Sequence, residues 1–237
     1  MNAAAATAVE VVDLASIPLR ELNQRLHDVA GDDPAIRSWR VLNPNGMHAV
    51  ACGIDAPLEV EIAGHVGYYC AGMNQRATVR VHGNAGTGVA ENIMSGTVIV
   101  EGNVSQSAGA TGRGGTLVVH GDAAARCGIS MKGVDIVVRG SVGHMSAFMA
   151  QRGCLVVCGD VGDGLGDSIY EAHLYVRGEV AGLGADCVEK ELREHHVAEL
   201  AALLARAGFD DVDPSEFRRY GSARQLYNFK IDNAGAY

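Results

Sequence analysis

The sequence predicts an all-β solenoid, a right-handed parallel β-helix of about seven 19-residue coils with N- and C-terminal helices. Three observations carry that expectation. A short phrase of aliphatic residues, one polar residue and a glycine recurs at Val60–Gly64, Val79–Gly83, Val98–Gly102, Val118–Gly121, Val137–Gly140, Val156–Gly159 and Tyr175–Gly178. Its glycines stand at 64, 83, 102, 121, 140, 159 and 178, every interval being 19 residues, and a fixed period of roughly 20 residues marks a solenoid. The composition agrees, with aromatic residues at only 5% and 31 glycines in 237 residues, which suits thin stacked coils turned often. A left-handed hexapeptide helix would need three equivalent six-residue faces, and 19 does not divide that way.

Sorting the repeat into columns tells the inside from the outside. Two places after each glycine stand Val66, Ala85, Val104, Ala123, Val142, Val161 and Val180, and six places after stand Cys70, Val89, Ala108, Cys127, Ser146, Leu165 and Gly184. Two places before the next glycine stand Val81, Val100, Val119, Val138, Val157 and Val176. Four before it stand Val79, Val98, Leu117, Ile136, Leu155 and Leu174. Small or aliphatic columns point inward, and the period-2 alternation within each phrase is the strand signal. The column one before the glycine (His82, Glu101, His120, Arg139, Cys158, Arg177) is mostly polar and points out. Coils repeating in one direction make neighbouring strands parallel, and at about 4.8 Å per coil seven of them give a rod of roughly 30 Å.

One column breaks the rule. Three before the glycine stand Arg80, Ile99, Val118, Val137, Val156 and Tyr175, outward by alternation yet largely aliphatic. An uncovered apolar stripe is an interaction site or an aggregation hazard, so something must lie on it: the chain's own terminal helices or another subunit.

The elements outside the repeat follow in order. The segment 1–57 is expected to be a lead-in, 58–187 the β-helix and 188–237 a set of helices with a docking tail. Residues 1–12 read as a frayed tail. Ser16 and Pro18 open a helix whose stripe is Leu19, Leu22, Leu26 and Val29 and whose stop is Gly31; it suits a cap over the solenoid's open end. Val41–Gly46 reads as a strand and turn, and Ala49–Cys52 as a short strand. Asp186-Cys-Val-Glu189 resembles a capping box, from which a helix should run to about Ala207, with its stop at Gly208. Asp213-Pro-Ser-Glu216 is a second capping box, with a helix ending near Tyr220. The apolar tail Ser222–Tyr237 should dock on a neighbour or on the rod.

Several chemistries find no support. The net charge of −9, with no basic stripe, argues against nucleic acid or an anionic membrane as partner. No leader or apolar span stands out, so a cytoplasmic chain is expected. None of the six cysteines forms a C-x-x-C pair, and Cys154 and Cys158 lie roughly 13 Å apart along one strand, too far to share an ion or a disulfide. They read as small apolar residues of a reduced chain. Gly86-Thr-Gly88 and Gly162-Asp-Gly164 precede no helix and read as turns rather than phosphate loops. The column Asn84, Asn103, Asp122, Asp160 and Glu179 reads as turn capping rather than calcium ligation. His82 and His120 stand two coils apart, too far to share a metal. No catalytic, cofactor-binding or metal-ligating residue is assigned.

The far side of the coil is the richest segment. Tyr69, Met73, Asn74, Gln75, Asn92, Met94, Gln106, Arg113, Lys132, His144, Met145 and Met149 mix methionine, aromatic, amide and basic residues as a protein interface does. With Ile99, Val118, Val137 and Val156 of the apolar column they form the candidate partner surface.

The glycine spacing resembles the GXGXG domain that closes the large subunit of glutamate synthase and stands alone as the C subunit of formylmethanofuran dehydrogenase. Longer strings, among them Gly64-His-Val-Gly-Tyr-Tyr-Cys-Ala-Gly-Met-Asn-Gln75, Arg126-Cys-Gly-Ile-Ser-Met-Lys-Gly-Val-Asp135, Gly143-His-Met-Ser-Ala-Phe-Met-Ala150 and Asp213-Pro-Ser-Glu-Phe-Arg-Arg-Tyr-Gly-Ser-Ala-Arg224, resemble the stand-alone β-helical subunit of N-methylglutamate synthase. The resemblance implies a non-catalytic scaffold in a hetero-oligomer that makes N-methyl-L-glutamate and ammonia from L-glutamate and methylamine. It implies two partners, an amidotransferase-like subunit and a synthase subunit carrying FMN and an iron–sulfur cluster, with no cofactor on this chain. Two alternatives stand beside it: the C subunit of a formyl-transferring complex, and a stand-alone β-helical carbohydrate-active enzyme.

Overall fold

The computed structural model describes residues 9–29 and 37–225. Strands β1 (Val9–Asp13), β2 (Ser38–Leu42), β3 (Glu59–Ala63), β4 (Thr78–Val81), β5 (Thr97–Val100), β6 (Thr116–Val119), β7 (Lys132–Val138), β8 (Arg152–Val157) and β9 (His173–Val176) pair in chain order, all parallel. From β3 to β9 residues face those 19 places on, as Val79 faces Val98 and Leu117 faces Ile136, apart from Lys132, which faces Arg152 across a bulge, so each turn of the chain climbs one strand. A second ladder of single bridges, Val66–Ala85–Val104–Ala123–Val142–Val161–Val180, stacks the next side of the coil. This is the expected parallel β-solenoid.

The four apolar columns fill its interior. Val79, Val98, Leu117, Ile136, Leu155 and Leu174 are fully buried, as are Cys70, Val89, Ala108, Cys127 and Leu165. At about 25 cal/mol per Å² of apolar surface, these stacked rows are the main source of stability.

The repeating glycine answers to space rather than to backbone dihedral. Every one from Gly83 to Gly178 has a φ outside the left-handed region, yet a Cβ on Gly121 would lie 2.8 Å from Gly102 O and 2.2 Å from Asn103 Oδ1. The coils approach so closely at this corner that only hydrogen fits.

Beside the glycines runs a side-chain ladder. Asn84 Oδ1 accepts from Asn103 N, Asn103 Oδ1 from Asp122 N, and Asp122 Oδ1 from Ser141 N, each at 2.8 Å. Ser141 Oγ accepts from Asp160 N at 3.0 Å and Asp160 Oδ1 from Glu179 N at 2.9 Å. The capping role expected of this column holds, although each residue caps the next coil rather than its own turn.

The far side of the coil departs from any strand. Positions five, seven and nine after each glycine from Gly64 to Gly159 lie in the left-handed region, as at Tyr69, Ala71 and Met73 (φ 61°, 52°, 56°) and again at Met145, Ala147 and Met149 (56°, 57°, 53°). Non-glycine residues pay roughly 1–2 kcal/mol each for this conformation. Inter-coil hydrogen bonds hold it, their N–H groups pointing alternately up and down: Tyr69 N donates to Thr87 O, Ala71 N to Val50 O and Met73 N to Glu91 O. Ala49 and Ala51 are also left-handed (φ 58° and 57°), so the expected strand at Ala49–Cys52 is instead part of such a turn.

The N-terminal end carries two further differences. Val9–Asp13 is a strand paired with β2, not a frayed tail. Helix α1 (Leu19–His27) begins after Pro18 with no side-chain cap, so Ser16 does not cap it; Gly31, its expected stop, lies outside the described residues. The capping role of α1 over the solenoid is as expected. Leu22 and Leu26 join the core, and Asn23 clamps the first turn, donating to Ala49 O at 2.8 Å and accepting from Ala51 N at 3.0 Å.

At the C-terminal end the helix expected from Asp186 starts eight residues later. Cys187–Lys190 is strand β10, followed by α2 (Glu194–Ala207), a single 3-10 turn at Pro214–Glu216 and strand β11 (Arg218–Ser222). β11 runs antiparallel between β9 and β10, closing the sheet in the order β9-β11-β10. Pairing with a strand thirty residues further on overrides the local capping pattern. The true N-terminus of α2 is held by His196 Nδ1, which accepts from Arg193 N at 3.1 Å. The second capping box keeps its Asp213 bond to Ser215 N, 2.8 Å, but yields one turn and no longer helix. Residues 226–237, the rest of the expected docking tail, lie outside the described residues.

Candidate partner interface

Helix α2 decides which outward surface is free. Leu200, Leu203, Leu204 and Ala207, with Phe209, Val212 and Phe217, lie on Val118, Val137, Val156 and Tyr175 and form a second buried cluster. Val118, Val137 and Val156 are 2%, 0% and 0% exposed, and Ile99 is half-buried at the cluster's edge. The chain covers its own apolar column, so the expectation that these residues meet a partner is corrected: of the two candidate covers, the terminal helix is the one present. Arg139 Nη1 donating to Asp211 Oδ1 at 2.7 Å and Arg206 Nη1 donating to Asp135 Oδ2 at 3.1 Å fasten the ends of the cover.

The turn side of the rod is different. Met73, Met94 and Met149 are 47%, 44% and 38% exposed. Gln75, Gln106, Arg113 and His144 are exposed, and Tyr69, Asn92, Lys132 and Met145 half-buried. They fall on ladders set by the period: Met73, Asn92 and Met149 nine places after their glycines, Gln75, Met94, Arg113 and Lys132 eleven places after. Tyr69 and Asn92 are joined across coils, Asn92 Nδ2 donating to the Tyr69 hydroxyl at 3.2 Å, and Asn92 Oδ1 accepts from Thr111 Oγ1 at 2.6 Å. Asn74 leaves the surface altogether. It is fully buried and donates to Ala77 O at 2.8 Å and Ser95 O at 3.1 Å, so it holds a turn and presents nothing to a partner. Tyr68, 55% exposed and stacked on His48 at 3.6 Å, belongs to the same face.

Methionine rows on a rigid frame suit docking. Their side chains are unbranched and polarizable and adapt to a partner, while the backbone beneath is held by hydrogen bonds on both sides. The hydrogen-bonded left-handed turns set the shape of this face.

A third feature lies at the seam between α2 and the sheet and was not singled out in the sequence. Five places before the glycines stand Thr78, Thr97, Thr116, Asp135, Cys154 and His173, three threonines and then three ligand-type residues in register. From α2, Arg206 reaches Asp135 and Thr116, while Glu199 Oε2 meets His173 Nδ1 at 2.8 Å and the Tyr175 hydroxyl. Burial, together with the Glu199 and Asp135 carboxylates, pushes the Cys154 thiol above the ordinary range. Cys70 and Cys127 are buried in the core, as read for the cysteines generally, whereas Cys154 has the Glu199 and Asp135 carboxylates beside it. The −5 column was visible in the sequence, as was a helix ending near Ala207; that this helix packs Glu199 onto the column was not.

Among the described residues no helix is long and apolar enough to cross a membrane. No family model matches the sequence and no solved structure matches it. Protein GlxC of Rhizobium meliloti (strain 1021) is 64% identical over 227 residues, covering 96% of this chain and 99% of that protein. At that identity over nearly the whole of both chains, this protein belongs to the GlxC family.

Proposed function

We propose that the chain is a non-catalytic scaffold subunit of a glutamate-synthase-like complex, the N-methylglutamate synthase type that converts L-glutamate and methylamine to N-methyl-L-glutamate and ammonia. The observation that carries this reading is the turn face: a rigid, methionine-bearing surface that no described element covers, opposite a column the chain seals with its own helix. The long strings resembling the β-helical subunit of that enzyme supply the identity of the complex.

The distribution along the rod suits two partners. Met73 and Met94 sit on the first two coils and Met145 and Met149 on the fifth, with Gln106, Arg113 and Lys132 between. At about 4.8 Å per coil the two methionine groups are roughly 15–20 Å apart. An amidotransferase-like subunit and an FMN- and iron–sulfur-bearing synthase subunit would each take one group. The scaffold would then fix the distance between an ammonia-handling site and a flavin site.

The test is purification of the tagged full chain from its native cell. Both partner subunits should co-elute, and the complex, not the chain alone, should form N-methylglutamate. Activity of the isolated chain, or co-elution with a molybdenum or tungsten subunit in place of a flavoprotein, would overturn the reading.

A further inference from the structure

We propose that Cys154, His173 and Glu199 bind one zinc ion in the seam between helix α2 and the sheet. One ligand atom from each lies within 4.8 Å of the other two. They come from three elements: Cys154 and His173 face each other on β8 and β9, and Glu199 descends from α2. Sulfur, imidazole nitrogen and carboxylate oxygen together are a zinc donor set, with bonds of about 2.0–2.3 Å that leave tetrahedral ligands roughly 3.5 Å apart. A small inward movement of the side chains closes the site. On binding, the Cys154 thiol gives its proton to solvent, and His173 keeps its remaining proton on the nitrogen that does not ligate. Thiolate and carboxylate then balance the 2+ charge, which suits a half-buried seam.

The surroundings complete such a site. The Tyr175 hydroxyl donates to Glu199, and Asp135, itself held by Arg206, stands beside Cys154 on the next strand. These are the outer partners that orient metal ligands. Of the three ligands, His173 also lines an open cavity of about 330 Å³ with Glu171, Glu191, His195 and His196. Three protein ligands leave a fourth position for water, as in zinc sites that exchange a ligand.

Cobalt reports on the site directly. The full chain, purified without a histidine tag and freed of metal by chelation, is titrated with Co²⁺. One equivalent should produce a thiolate-to-cobalt charge-transfer band that zinc displaces. C154S should abolish the band and C158S should leave it intact. H173Q and E199Q, which keep the thiol, should weaken binding roughly tenfold or more. Circular dichroism of each variant separates lost binding from lost fold, and E199Q, which keeps the size of the side chain, keeps the test decisive should C154S misfold. Absence of the band in the parent chain, its persistence in folded C154S, or unchanged affinity in E199Q would show the cluster to be a hydrogen-bonded seam only.

Discussion

Replacing Gly121 by alanine tests the reason for the repeat itself. The added Cβ would fall 2.2 Å from Asn103 Oδ1 and 2.8–2.9 Å from the carbonyl of Gly102. The backbone cannot retreat, because Gly121 N is bonded to Gly102 O at 3.1 Å and Gly140 N to Gly121 O at 3.0 Å. Overpacking of this kind costs about 1–3 kcal/mol. Displacing Asn103 also breaks its 2.8 Å bond to Asp122 N, a loss of about 0.5–1.5 kcal/mol for a bond of this class. Together G121A should destabilise by about 2–4 kcal/mol. With a urea m-value of about 3 kcal/mol/M, the midpoint should fall by roughly 1 M. Gly208 is the control: it ends α2 at φ 76° with nothing within 4 Å of an added Cβ, so G208A meets only left-handed strain, about 1 kcal/mol. The reasoning fails if G121A shifts stability by less than about 0.5 kcal/mol, or if G208A costs as much.

Three other outcomes follow from the same geometry. L203A should cost about 2–4 kcal/mol in the same urea assay, since Leu203 is 2% exposed between α2 and the apolar column. Glutamate at Met73 and Met94 should leave the melting temperature of the chain within about 2 °C but release one partner subunit on gel filtration, and glutamate at Met149 should release the other; loss of neither speaks against the turn face. Burial first, then the nearby Arg219, His195 and His173, depresses His196 to about 4. The unfolded chain therefore binds the extra proton between about pH 6.5 and 4, so stability is full above that window and declines as pH falls through it. In H196Q the unfolding midpoint should vary less over that range, because the proton-binding difference at this position is gone.

What could be read from the sequence was what repeats. Six equal intervals fixed the coil, and reading columns rather than windows separated buried Leu117 and Ile136 from outward His120 and Arg139. The capping ladder through Asn103 and Asp122 was likewise a column property. Where the reading erred, the deciding contact was distant in the chain. Asp186–Glu189 has the local pattern of a helix start, yet Cys187 and Val188 pair with Ser222 and Gly221, and a sequence window cannot see a partner that far away. Asn74 looked like its surface neighbours Met73 and Gln75 because the left-handed turn that swings it inward leaves no mark when non-glycine residues occupy it. The apolar column was recognised as needing a cover, but alternation cannot say whose.

That last point shapes the functional reading more than any single residue. An apolar stripe of four coils is the most obvious docking surface in the sequence, and α2 removes it. A partner binding there would first have to lift Leu200, Leu203 and Leu204 off Val137 and Val156, at a cost of several kcal/mol by area. The turn face demands no such displacement: its backbone hydrogen bonds are already satisfied between coils, and its methionines stand in solvent. Closure of one side leaves the turn face as the surface proposed for partners, and it is the same closure that brings Glu199 down onto His173.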